Sequence, residues 1–279
     1  MLTRLLGTIQ DAALQAAKDS GLIIDLSLGP NQGAGVPAEY DDEGLQWDLQ
    51  PFNVSVPIGG AFDGTLPGWG TGELVAAVSA TVVKSTNTST AVTKTLSESS
   101  LQDVTKQVSS SGHLSLQFPS QAGGGNSILF AYYLVHSGFR EQQTPSQVIP
   151  GVPQSPITNY VQNGSFVVDH FSARGAETVA SFWQNHLLNG SNTAELVREI
   201  GNYAWEDSQE FPANIWWTQS LPATFAANRG YSVAKYIPVL FNGNERSQIG
   251  AVAASDVLYV TDEADAGGSH NADYHQTVS

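Results

Sequence analysis

The sequence predicts an α/β protein, a partial (β/α)8 barrel of the TIM type that carries an inserted antiparallel β module. Three observations lead there. Short apolar runs at 22–28, 166–171 and 203–207 each end in polar or acidic residues and stand beside stretches with helical spacing. From about Trp47 to Arg140 the texture changes to apolar or alternating β-type runs separated by Ser/Thr-rich and Gly-rich stretches. Setting that stretch aside leaves those three runs, one at 256–261 and one more near 236–240, too few for the eight strands and ~250 residues of a whole barrel. Residues 1–45 and 144–279 are therefore expected to form two parts of the barrel, roughly strands three to six, around a module at 46–143.

The elements follow in order. Leu5, Ile9, Ala12, Ala13, Ala16 and Ala17 fall on one helical face, and Gly21 stops the helix before the strand LIIDLSLGP. Gln10, Asp11, Gln15, Lys18 and Asp19 interrupt any leader-type apolar core. An earlier strand for this helix to cross over from is missing, so the chain is expected to begin inside a fold. Asn31 and Gln32 follow the strand in a Gly-rich loop, and their amides, which both donate and accept, suit sugar hydroxyls. Asp41, Asp42 and Glu43 offer hard oxygen ligands for calcium, but without the fixed spacing of a calcium loop they also read as a solvated turn.

Within the module, LVAAVSATVV, HLSLQF and SILFAYYLVH are strands. Prolines at 145, 150, 153 and 156 mark a connector. SFVVDHFS then forms a strand with Asp169 and His170 at its end, placed either to touch a substrate or to make structural hydrogen bonds, and a helix follows over 173–188. A short helix at 194–200 leads into the run Tyr203–Trp205, which delivers Glu206, Asp207 and Glu210 to its C-terminal end, where parallel α/β folds gather their chemistry. The bland alternative makes these acids solvated charges at a helix N-terminus. Trp217, Leu221 and Phe225 recur at steps of four, and Pro222 demands a bend or a later helix start. Trp217 reads as a sugar platform or as core. After the strand DVLYVT come Glu263, Asp265, His270 and Asp273; the last two read as metal ligands or as a polar loop, and residues 273–279 as the start of a helix.

Composition narrows the partners. With 26 acidic against 11 basic residues, a net charge of −15 opposes nucleic acid, which needs clustered Lys and Arg. The absence of cysteine removes disulfides, thiolate metal sites and cysteine nucleophiles. Asn53, Asn87, Asn163 and Asn189 each have Ser two positions later, the N-glycosylation pattern, and with only 13% charged residues the polar, uncharged surface suggests a secreted parent protein. No stretch approaches the ~20 apolar residues of a membrane helix.

The runs GLIIDLSLGPNQGAGVP and NGSFVVDHFSARGAE, and above all WEDSQEF followed by WT, F, RGY and IPVL, resemble glycoside hydrolase family 106, the α-L-rhamnosidases, most of all large fungal secreted members. The resemblance covers most of the chain. It implies a (β/α)8 catalytic domain with inserted β domains, inverting hydrolysis of terminal α-L-rhamnosyl groups, and calcium in many members. The family's acid-Ser-x-Glu motif matches Asp207, Ser208 and Glu210, which makes Glu210 the general acid and Asp207 its neighbour that tunes charge or holds substrate. The second catalytic carboxylate is expected beyond Ser279, so this chain stands either as a fragment of the catalytic region or as a carbohydrate-binding relative without turnover.

Overall fold

The computed structural model describes residues 2–28, 35–36, 38–87, 92–120, 125–138, 166–206, 213, 215–241 and 257–279, with side chains from residue 8 onward. The chain divides into two compact units, Met1–Gln46 with Gly138–Phe211, and Trp47–Ser137 with Pro212–Ser279.

In the first unit the helix α1 (Leu2–Asp19) ends where Gly21 takes a left-handed conformation, φ 69°, and its amide returns to the Lys18 carbonyl. Strand β1 (Ile24–Ser27) follows. The two-residue β2 (Gly35–Val36) pairs antiparallel with β10 (Phe166–Val167), while β1 pairs in parallel with β11 (Gly201–Trp205). Helix α2 (Ala173–Phe182) runs into a π-helical turn, Trp183–Leu187, and α3 (Thr193–Ile200) feeds straight into β11. Lys18 of α1 pairs with Glu199 of α3, and Asp11 accepts the hydroxyl of Thr193, so polar contacts at both ends of α3 hold it to α1.

The second unit is built on a mixed sheet of β3 (Trp47–Val56), β5 (Glu73–Asn87), β6 (Val92–Leu96), β9 (Ser127–His136) and β12 (Val257–Thr261), in the order β12-β6-β5-β9-β3, with the short β7 (Gln102–Asp103) paired to β5. A separate pair joins β4 (Ala61–Thr65) to β8 (His113–Gln117). Alternation along β5 and β9 sends Val78, Phe130 and Tyr132 into one core and Ala77, Leu129, Ala131 and Tyr133 into another. Because both faces are covered, β9 is a continuous apolar run instead of an alternating one. Helices α4 (Leu221–Arg229), α5 (Ile237–Leu240) and α6 (Gly268–Val278) contribute Phe225, Ile237 and Tyr274 to the first core. Pro222 sits in the first turn of α4, where its missing N–H costs nothing, so the helix starts late.

The predicted partial TIM barrel is overturned. Among the described residues there are twelve strands in several small sheets and six helices, with no closed barrel. A barrel needs consecutive parallel strands; here the parallel pairs are β1 with β11 and β6 with β12. The run at 256–261 is a strand but joins the sheet of the second unit. The run at 236–240 is helical, a 3-10 turn over Ala234–Tyr236 leading into α5 with Pro238 near its start. All four residues of α5 are buried, and a short run that is apolar on every side carries no period to separate helix from strand. At 166–171 two residues pair as a strand and Val168 adds an isolated bridge to Leu45, all antiparallel.

A polar network ties α6 to the second unit. The Tyr231 hydroxyl donates to Asp273 at 2.8 Å, so His270, whose Nδ1 lies 3.0 Å from the same oxygen, donates to it. Burial, reinforced by the Asp273 carboxylate, pushes the Tyr231 phenol up. The His270 ring stacks on Tyr236 with centroids 3.5 Å apart. Lys235 and Tyr236 both donate to Glu98 Oε1, at 2.8 and 3.0 Å, and hold that carboxyl below its usual range. A carboxyl depressed in the folded state contributes stability that is complete above its unfolded value and is lost as pH falls through the folded one. Acid unfolding of wild type and Glu98→Gln, followed by circular dichroism, should show the variant less stable near neutrality and with a shallower loss of stability below about pH 4.3, the ordinary glutamate value.

Candidate ligand cavity with a histidine–glutamate pair

The site is assembled at the turn that leads out of β10. Val168 bridges to Leu45, and the Asp169 amide donates to the Gly44 carbonyl at 2.9 Å. The Asp169 carboxylate, almost wholly buried, accepts the amide of Phe171 at 2.9 Å, which closes a side-chain turn of the kind Asp favours. Ser172 in extended conformation caps α2 by accepting the Gly175 amide at 3.2 Å. Gly175 is required by close approach: a Cβ there would stand 2.0 Å from the Asp169 carbonyl oxygen. Strand end, turn and helix start are packed together, and His170 is the side chain this turn presents.

Glu206 arrives from the other direction, directly after β11, whose last residue Trp205 accepts the Leu28 amide at 2.9 Å. Leu28 and Glu206 thus share the C-terminal end of the parallel pair. Between this end and α2 lies a cavity of about 550 Å³. Leu28, Val168, Val179, Trp183 and Leu188 make its apolar wall. Asp169, His170, Ser172, Gln184 and Glu206 supply polar groups. The Trp183 indole donates to the Leu28 carbonyl at 3.3 Å, which fixes the ring in the wall. That indole lies in the π-helical turn, an irregularity often found where a helix lines a site.

His170 Nδ1 lies 2.9 Å from the Val168 carbonyl, which can only accept, so Nδ1 carries a proton. Nε2 lies 2.5 Å from Glu206 Oε1. Two bare acceptors do not approach so closely; one further proton sits between them, on the imidazole or on the carboxyl. The side chains are 6% and 23% exposed, so His170 is enclosed and Glu206 keeps an opening. The pair is a one-proton unit facing a largely apolar space.

Of the residues singled out from the sequence, the fold brings Asp169, His170 and Glu206 to this cavity. Asn31, Gln32, Asp207 and Glu210 lie outside the described residues. Trp217 is in the second unit's core, 1% exposed, bridged to Trp47. Leu28, Trp183 and Gln184 escaped the sequence reading, although Val179 and Trp183 stand four apart on the expected helix and could have marked its inner face. Acids elsewhere have structural work: Asp42 accepts the Gly44 amide and the Thr178 hydroxyl, and Asp265 accepts the amides of Ser269 and Gly267, which lower its pKa. Among the described residues no group of three or more His, Asp or Glu could hold a metal ion. No protein-family model and no curated protein matches the chain.

Replacing Gly175 by Ala should drive a methyl into the Asp169 carbonyl and spread the turn. The expected loss is about 1–3 kcal/mol in urea unfolding, the usual cost of overpacking, together with a weakened His170–Glu206 contact. Unchanged stability would mean that the turn is looser than described.

Proposed function

We propose that the cavity takes a terminal α-L-rhamnosyl group and that the chain is glycoside hydrolase-like, cleaving the glycosidic bond with inversion. The observation that carries this reading is the pairing of Glu206 with His170 beside an apolar wall. A deoxy sugar has a methyl and ring hydrogens for Leu28, Val179 and Trp183, and hydroxyls for Gln184, Ser172 and the pair. Inverting hydrolysis needs one group that protonates the leaving oxygen and one carboxylate that takes a proton from water, ~6.5–9.5 Å apart. The one-proton unit of His170 and Glu206 is able to serve in one of those roles, with Val168 and Asp169 positioning the imidazole. Support for the other role comes from the sequence resemblance, which assigns Glu210 as general acid and Asp207 as its neighbour.

A second reading, carbohydrate binding without turnover, is favoured by the fact that Glu206 and His170 already satisfy one another at 2.5 Å. The two separate in one experiment: hydrolysis of an aryl α-L-rhamnoside by wild type, Glu206→Gln and Glu210→Gln, beside L-rhamnose binding followed by tryptophan fluorescence. The hydrolase reading expects turnover in wild type that falls by ~10²–10⁴ in a variant lacking its acid–base group. Rhamnose binding without turnover moves the assignment to a binding protein. Neither binding nor turnover in folded protein overturns both.

A further inference from the structure

We propose that Asn53 carries an N-linked glycan and that its first sugars cover the edge of β3 over residues 53–55 in the second unit's sheet. Strand β3 is the last in the order β12-β6-β5-β9-β3, and past Trp47, which bridges to Trp217, no strand among the described residues lies on its other side. Such an edge is a template for pairing with another chain, and proteins blunt it. Pro51 does so in part, since it withholds an N–H and is tolerated on an edge. For Asn53 to Ser55 the chain offers no charge and no further proline. It offers Asn53-Val54-Ser55, a glycosylation acceptor in which Asn53 and Ser55 are both exposed.

The other acceptor sequences are less well placed. Asn189 is exposed but donates to the Asn185 carbonyl, and Ser191 of its motif is hydrogen-bonded to Asp11. Asn87 is described but Ser89 of its motif is not, and Asn163 lies outside the described residues. Asn53 and Ser55, two apart on a strand, share one face about 7 Å apart. Ser55 borders a cavity of about 280 Å³ that Ser85, Lys94 and Asn126 also line. Hydroxyls, an amide and an ammonium are the groups that bind sugar hydroxyls and acetamido groups. Lys94 holds no carboxylate among the described residues, whereas Lys18 and Lys235 each do.

The chemistry is transfer from a polyprenyl pyrophosphate-linked oligosaccharide. The bond from sugar C1 to phosphate oxygen breaks, the pyrophosphate leaves with the electron pair, C1 joins Asn53 Nδ2, and that nitrogen loses one proton. Modification at Asn53 entails export of the parent chain. It does not depend on what occupies the cavity of the first unit.

The test expresses the chain through the secretory pathway of a eukaryotic host and maps Asn53 by enzymatic deglycosylation in ¹⁸O water with peptide mass spectrometry. Asn53 should be occupied in most molecules, lost in Ser55→Ala and retained in Ser55→Thr. The same wild-type sequence made without glycosylation in a bacterial host, which keeps residue 53 as asparagine and avoids any folding failure of a variant, should show about tenfold faster hydrogen exchange across residues 52–56 and concentration-dependent association in light scattering. An unoccupied Asn53 in exported protein overturns the proposal. So does an occupied Asn53 when the unglycosylated wild-type chain shows the same exchange and the same protein mass in light scattering.

Discussion

The turn from Val168 to Ser172 satisfies a demanding set of groups within five residues, and the first unit's cavity depends on it. Asp169 anchors the chain to Gly44 through its amide and closes the turn through its carboxylate; Ser172 starts the helix; Gly175 lets the helix sit against the turn. These contacts leave His170 little choice of position. Its Nδ1 is committed to the Val168 carbonyl, so Nε2 is the nitrogen offered to the cavity. Glu206 meets it there because β11 lies parallel to β1 and ends level with it. A buried imidazole and a carboxylate at this distance share a proton, and both groups border the cavity beside its apolar wall.

Local structure was largely legible in the sequence, and long-range pairing was not. Helix α1 and its glycine stop, strands β1, β5, β9, β11 and β12, and the late start of α4 at Pro222 all follow from periodicity and from the special chemistry of Gly and Pro. What periodicity cannot say is which strand a strand meets. The run at 257–261 looks the same whether it closes a barrel or lies beside β6, because both positions ask for a short β-branched and aromatic segment. The run at 237–240 failed for a different reason: burial on every side erases the pattern that distinguishes helix from strand. A barrel inferred by counting strands could not survive either ambiguity.

For the site, position at a strand end was the useful signal. It picked out Asp169, His170 and Glu206, which the fold gathers from places more than thirty residues apart in the sequence. Of the two readings of Trp217, sugar platform or core, the fold gives core. The strand-end signal did not extend to Trp183 and Gln184, which line the cavity from the π-helical turn after α2, although the four-residue step from Val179 to Trp183 marks that face. The acids at Asp42 and Asp265 were equally visible in sequence, yet each is consumed by neighbouring amides and hydroxyls. Glu206 differs from these by bordering a cavity.

The measurement closest to the central claim is the ¹⁵N resonance pair of His170, assigned with His170→Asn and followed by long-range proton–nitrogen correlation as L-rhamnose is added. The account predicts Nδ1 protonated throughout, and an Nε2 signal at a position typical of a shared or bound proton that moves on addition of the sugar and in Glu206→Gln. A bare Nδ1, or an Nε2 signal indifferent to both the sugar and the substitution, would contradict it.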